Sequence, residues 1–433
     1  MNSRNDSVLP VSFADLLAAR PIVAALARET PVVESRRLSE ELGAPIALKV
    51  EVLQRAGSFK VRGAANFVAS LDGVARARGV IAASAGNHAQ GLALAAVAAG
   101  VPCQVVMPHG TALPKEQATR EYGAQVRLAG ADLGEAAEVA QALAMEHEWA
   151  YVPPFDDPRI VAGQGTLGLE LLEQIPDLGV AVVPVGGGGL AAGVGLALKH
   201  QRPGIRVVGV QAAAVPSAAR SHGQDQPQAV PARWTLADGC AVPRVGAVTL
   251  PLLNAYVDEI VTVSEESIGS AIVWLLERSN LVVEGAGALG VAALLSGAVD
   301  PGGRRTAVVL SGGNIDINTI AKTVEYGLAR AGRYVRLVAT VPDRPGQLAA
   351  VLRSVSEQGA NVLQVEHHRR DPSLPVGAVN IALLLEVRGV EHSQALVGAL
   401  GERGYERVGA HPGEVHLVLE GLSLEEPSSD GAP

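Results

Sequence analysis

The 433-residue sequence predicts an α/β fold with mostly parallel sheets, followed by a small ferredoxin-like βαββαβ module. Three observations carry this expectation. Between about residues 46 and 313, short β-branched runs alternate with Ala-rich stretches of helical length. The runs are apolar at nearly every position, as strands covered by helices on both faces are. After about Gly332 the texture changes to alternating apolar and polar residues, the mark of a sheet with only one face in a core.

Taken in order, residues 79–82, 103–107, 180–183, 205–210 and 306–310 read as buried strands. Residues 88–99 and 190–200 are helices whose small side chains allow close packing. In the second part, residues 335–341 alternate, 345–358 have helical spacing, and 361–366 and 378–387 read as strands. Residues 394–403 form a second helix, and 406–410 supply a last strand. Residues 1–14 form a polar leading segment, and residues 423–433, rich in Glu, Ser, Pro and Gly, are expected to be a disordered tail.

Composition excludes several functions. The net charge of −9, with no basic run, speaks against nucleic-acid binding. Two cysteines, Cys103 and Cys240, cannot build a disulfide framework and do not lie in a metal-binding spacing, which points to a reduced, cytoplasmic setting. No apolar run reaches membrane-spanning length, and the first residues lack a signal-peptide pattern.

Lysine is rare in this chain: the five are Lys49, Lys60, Lys115, Lys199 and Lys322, and every other basic residue is arginine. Lys60 lies in Gly57-Ser58-Phe59-Lys60-Val61-Arg62-Gly63-Ala64. A lysine gives up its proton when desolvated and can then form an imine with an aldehyde, which a guanidinium cannot. As a local pattern the octapeptide also fits a helix-end lysine beside a core Phe. The most specific segment is Val185-Gly186-Gly187-Gly188-Gly189-Leu190, where an apolar strand runs through four glycines into a helix. Backbone N–H groups can converge there on a phosphate. Leu190 and Ala191 exclude a P-loop, which requires Gly-Lys-Ser/Thr at that point. Gly186, Gly188 and Ala191 formally match a dinucleotide fingerprint, but Gln211 stands where an acidic residue would hold the ribose, leaving a nicotinamide dehydrogenase a remote reading.

Ser84-Ala85-Gly86-Asn87-His88 follows a strand; its backbone suits a carboxylate and its Asn a ring hydroxyl, although the same residues fit an ordinary helix cap. His88 reads as a packed helix residue. Ser311 ends the strand 306–310 and faces the crevice where α/β sheets bind ligands.

In this order and spacing, the four segments resemble the fold-type II pyridoxal 5′-phosphate enzymes and, among these, the threonine dehydratases (threonine ammonia-lyases), over about residues 15–328. The resemblance implies a two-lobed catalytic domain with a small lobe at about 50–155. It also implies pyridoxal 5′-phosphate as cofactor, held by Lys60 and packed on by Phe59. Asn87 would bind the ring hydroxyl, Gly186, Gly187, Gly188, Gly189 and Leu190 the phosphate, and Ser311 the ring nitrogen, with Glu284 near the hydroxyl. Ser84, Ala85, Gly86, Asn87 and His88 match the substrate-carboxylate loop. Residues 334–410 resemble an ACT domain, an amino-acid-sensing module, through Asp343, Pro345, Gly346 and Asn361, which implies isoleucine or valine as effector and a homotetramer.

Two departures bear on these implications. Glu284-Gly285-Ala286-Gly287-Ala288 lacks the serine hydroxyl often found at the third position. Gln211, Val215 and Ser217 replace the acidic residues that bind a divalent cation in related racemases, so no metal is expected. The neutral Ser311 favours elimination over long-lived carbanions, and the methyl of Ala85 cannot serve as the second acid/base of a racemase. Lys60 is thus expected to remove one proton during loss of water from L-threonine, and also from L-serine. A serine racemase or serine dehydratase, and a non-catalytic amino-acid sensor, are the competing readings.

Overall fold

A computed structural model describes residues 9–369, 374–411 and 414–419, and the tail expected at 423–433 lies outside them. The chain divides into two units, one ending at Thr319 and one beginning at Ile320.

The first unit carries two sheets. The larger has six strands in the order Val32–Glu34, Ile46–Val50, Thr306–Leu310, Val180–Pro184, Arg206–Ala212 and Glu259–Val263. All neighbours are parallel except the first pair. Alternate residues feed two apolar layers: Ala181 and Val183 pack with the helices Pro158–Gln174 and Gly189–Gln201, while Val180 and Val182 pack with Gly285–Leu295. Each fully buried Val or Leu contributes about 1.5–3 kcal/mol, which explains why these strands read as unbroken apolar runs.

The smaller sheet is parallel throughout, in the order Gln125–Leu128, Cys103–Met107, Val80–Ala83, Ala150–Tyr151. The five strands expected from sequence form within two residues of their expected ends. Strands 32–34, 46–50, 125–128, 150–151 and 259–263 are additional. Residues 125–128 and 259–263 are mostly exposed or half-buried, so they lack the apolar signature of the others.

The helix Lys60–Ala69 is wedged between two neighbours with almost no side-chain padding. A Cβ on Gly91 would lie 2.9 Å from the Val61 nitrogen, and one on Gly163 2.6 Å from the Arg62 carbonyl oxygen. Behind it the fully buried Arg62 binds Glu51 at 2.8 Å and Glu170 at 2.5 Å, and Lys49 reaches Glu170 at 2.6 Å. A buried network of this kind is costly to break because any one deletion strands an opposite charge.

The second unit is a five-stranded sheet in the order Asn361–His368, Ala378–Glu386, Tyr334–Pro342, Glu414–Leu419, Tyr405–His411, with helices Gln347–Glu357 and Val390–Gly401. This departs from the expected four strands. Glu414–Leu419 runs parallel to Tyr334–Pro342 and separates it from Tyr405–His411. The alternation Val415, Leu417, Leu419, set beyond the Pro412-Gly413 dipeptide, is the sequence signal of this fifth strand. Among the described residues of both units, no helix is long and apolar enough to cross a membrane.

Candidate active site

The four sequence segments meet because each follows the carboxyl end of a parallel strand, where open α/β sheets bind ligands. Strand 46–50 leads to Lys60, 306–310 to Ser311, 180–184 to the glycines and 80–83 to Ser84. They line one cavity of about 380 Å³, together with Lys115, Pro154, Phe155, Asp238, Cys240, Glu284 and Asn314. Of the predicted residues, Phe59, Lys60, Ser84, Ala85, Gly86, Asn87, His88, Gly186, Gly187, Gly188, Leu190, Glu284 and Ser311 face it, and Gly189 sits just behind.

Lys60 begins its helix, and its Nζ donates to the Pro154 carbonyl at 3.0 Å and lies 5.2 Å from the Phe59 ring centroid. Burial pushes its pKa down to about 8, against the opposing pull of Cys240 and Glu284. The loop before it is pinned to the Ser311 segment: Phe59 N–H donates to the Ser311 carbonyl at 3.1 Å, and Ser58 bridges Gly312.

At the glycine run the backbone turns tightly, with Gly188 at φ +100. A Cβ on Gly187 would lie 2.3 Å from the Phe155 ring, so only glycine allows that ring to rest there. Thr249 Oγ1 donates to the Gly187 carbonyl at 2.6 Å, turning that oxygen away from the cavity. The first N–H groups of the helix that follows have no intrahelical acceptor and form an anion cradle.

Asn87 Nδ2 donates to Glu284 Oε1 at 2.6 Å. Burial, with Asp238 adding to it, pushes Glu284 up to about 7, while the Asn87 bond opposes the rise. His88 Nε2 donates to the Val152 carbonyl at 2.9 Å, and burial holds the ring neutral, down to about 3; it is a packed residue, as read from sequence. Lys115 Nζ meets Asp238 Oδ2 at 2.8 Å at the cavity wall. Gln211 Oε1 accepts from Ala218 N–H at 2.8 Å, and Ser217 Oγ donates to the Val242 carbonyl at 2.6 Å, so both are committed to holding their loop.

Sequence reasoning missed Lys115, Pro154, Phe155, Asp238 and Cys240, and gave Asn314 no role. The scarcity of lysine could have flagged Lys115; the others carry no local pattern. In the second unit, Asp343, Pro345 and Gly346 lie together before the helix Gln347–Glu357. Asn361 does not join them: it pairs with Glu386, as Tyr334 does, whereas Pro342 pairs with Ala378 at the opposite end of the sheet. The helix between them, at about 1.5 Å per residue, carries the chain from one end to the other.

An amine on its way to neutrality, an anion cradle and a neutral hydroxyl within one cavity fit an aldehyde-bearing, phosphorylated ring. In agreement, the family model described as pyridoxal-phosphate dependent enzyme matches residues 23–312. The L-threonine ammonia-lyase of Geobacter sulfurreducens is 48% identical over 378 residues, covering 87% of this chain and 94% of that protein. Among solved structures, threonine deaminase isoform 2 from Solanum lycopersicum superposes with a TM-score of 0.68 at 35% identity, covering 72% of this chain and 91% of that one. Maize serine racemase superposes with a TM-score of 0.70 at 30% identity, covering 74% and 98%.

Proposed function

Because the chain belongs to the family of pyridoxal-phosphate-dependent enzymes, we propose that it is an L-threonine ammonia-lyase, which also accepts L-serine. It removes water from the amino acid and yields 2-oxobutanoate or pyruvate together with ammonia. The observation that carries this reading is the Lys60 amine, buried in the cavity beside the glycine cradle with its pKa pushed down to about 8.

The bound cofactor supplies an aldehyde for Lys60 and a conjugated ring that withdraws electrons from the substrate Cα. Lys60, its pKa pushed by burial down to about 8 and so within reach of the free amine near neutral pH, is the base that takes the Cα proton. The N–H groups of Gly186 to Leu190 hold the phosphate, and Phe59 covers the ring. Asn87 meets the ring hydroxyl, and its bond to Glu284 fixes its direction. Ser311 offers the ring nitrogen a neutral hydroxyl, which keeps electron withdrawal modest and favours departure of the β-hydroxyl. The Ser84–His88 turn receives the substrate carboxylate on its backbone donors.

The resemblance to a serine racemase supports a second reading, but Ala85 lacks the hydroxyl that moves a proton on the opposite ring face. The second unit is read as an amino-acid sensor of the ACT kind, taking isoleucine or valine at Asp343, Pro345 and Gly346. Since Asn361 is at the far end of its sheet, a complete effector site of these four residues needs a second copy, consistent with a homotetramer acting in the cytoplasm. A 2-oxo-acid assay on threonine and serine, with isoleucine and valine added in turn, tests the whole reading. Purified, cofactor-loaded protein that makes no 2-oxobutanoate from threonine removes the substrate assignment; unchanged rates with both effectors remove the sensor.

A further inference from the structure

We propose that Asn314 is the positioning residue of this site, its side-chain amide holding the Lys60 loop and the Asn87 amide in one arrangement. Asn314 Nδ2 donates to Asn87 Oδ1 at 2.7 Å, to the Ala56 carbonyl at 2.8 Å and to Gln90 Oε1 at 3.0 Å. Two hydrogens serve three acceptors, and the acceptors belong to different elements. Ala56 lies in the segment Arg55–Gly57 that leads into Lys60, while Asn87 and Gln90 open the helix Asn87–Ala98 beside the smaller sheet. Asn314 itself follows the strand Thr306–Leu310 of the larger sheet. One amide therefore ties the cofactor-lysine loop to both sheets.

The loop needs such a tie. Ala56 is left-handed, at φ 58 and ψ 20, a conformation that strains a residue with a Cβ and persists only where the surroundings enforce it. Gly57 follows at φ +67, and a Cβ there would lie 2.5 Å from Asn314 Oδ1. The Asn314 amide is thus packed against the backbone it bonds.

A second effect reaches Glu284, which Asn314 does not bond. With its Oδ1 receiving from Asn314, Asn87 must turn Nδ2 towards Glu284 Oε1, at 2.6 Å. Glu284 then acts as acceptor, which favours its ionised form. Without Asn314 the Asn87 amide is free to reverse, and a carboxyl facing Oδ1 must keep a proton to bond it. The other groups facing Glu284 are Asp238, which raises its pKa, Lys115 and Lys60, which lower it, and the Cys240 thiol, which burial keeps neutral; none of them fixes the direction of the amide.

The inference rests on Lys60 as the cofactor lysine, and its test separates the two. Asn314→Asp keeps the shape without the donor, and Asn314→Ala removes both. In apoprotein, pulse acetylation by acetic anhydride, read at Lys60 by mass spectrometry across pH, gives the midpoint of the amine. Wild type is expected near 8; both variants should shift upward as the released loop admits water. With cofactor bound, kcat on L-threonine should fall by about 10²-fold, more than KM changes, and the acid limb of the profile should move to higher pH. If both variants keep the wild-type midpoint and kcat, the proposal is overturned. It is also overturned if neither folds by circular dichroism, since Asn314 is then a plain structural residue. A wild type inactive on threonine, but with a midpoint that the variants still shift, sinks the substrate reading and leaves the positioning role standing.

Discussion

Lys60→Met should stabilise the apoprotein. The amine has to be placed in the cavity wall with, among the described residues, the Pro154 carbonyl as its hydrogen-bond partner, and burial lowers its pKa from 10.5 to about 8. At about 1.36 kcal/mol per pH unit, that fall means the charged amine costs the folded state about 3 kcal/mol. The cavity admits some water and the Pro154 carbonyl loses its donor, so the expected gain at pH 7 is about 2 kcal/mol. The sign follows from proton binding. Between pH 8 and 10.5 the unfolded chain holds the proton that the folded chain has released, so wild-type stability rises with pH across that window. The advantage of methionine is full below pH 8 and falls to less than half by pH 9.5, about 1 kcal/mol or less. Urea denaturation of both apoproteins at pH 7 and 9.5, with equal m-values, measures it. A gain that is absent at pH 7, or undiminished at pH 9.5, refutes the claim that desolvation of this amine sets its reactivity.

Other outcomes follow from the same geometry. Gly187→Ala drives a methyl into the Phe155 ring, at 2.3 Å; a clash of about 1–3 kcal/mol should weaken pyridoxal phosphate binding by roughly 5- to 150-fold in an absorbance titration. Ala85→Ser should bring D-serine formation from L-serine above the wild-type background in a chiral assay while elimination persists. Asp238→Asn removes a charge that raises Glu284 and frees Lys115, so a kinetic limb set by Glu284 should move to lower pH. Arg62→Met leaves the buried Glu51 without its ion-pair partner and Glu170 with Lys49 alone and should cost about 3–5 kcal/mol in urea denaturation.

Much of the first unit is legible in the sequence because its strands are buried on both faces. Val180–Pro184 and Thr306–Leu310 need no long-range information to be read, and Gly186 to Gly189 announce a tight, open backbone by themselves. Lys60 stands out for the same local reason, its scarcity. What escapes sequence reading depends on distant partners. Asp238 matters through Lys115, 123 residues away, and Asn314 through Asn87, 227 residues away; neither has periodicity or motif spacing. The strand Glu414–Leu419 has a visible alternation, but its place between Tyr334–Pro342 and Tyr405–His411 is set by long-range pairing that a βαββαβ pattern does not contain. Asn361 and Asp343 share a motif resemblance but not a place, because strand register sets them at opposite ends of the sheet.

The wall behind Lys60 and the wall in front of it differ in how much change they can absorb. Behind, helix backbones touch through Gly91 and Gly163, and the Arg62 network leaves no spare volume, so nearly any substitution there is a defect in folding. In front, Ala85, Lys115, Leu133 and Asp238 come from loops and helix ends, with Leu133 exposed to 52%. Mutational drift can accumulate on that side without moving the amine. A lineage descended from this chain would therefore change the amino acids it accepts long before it changed the chemistry it performs on them.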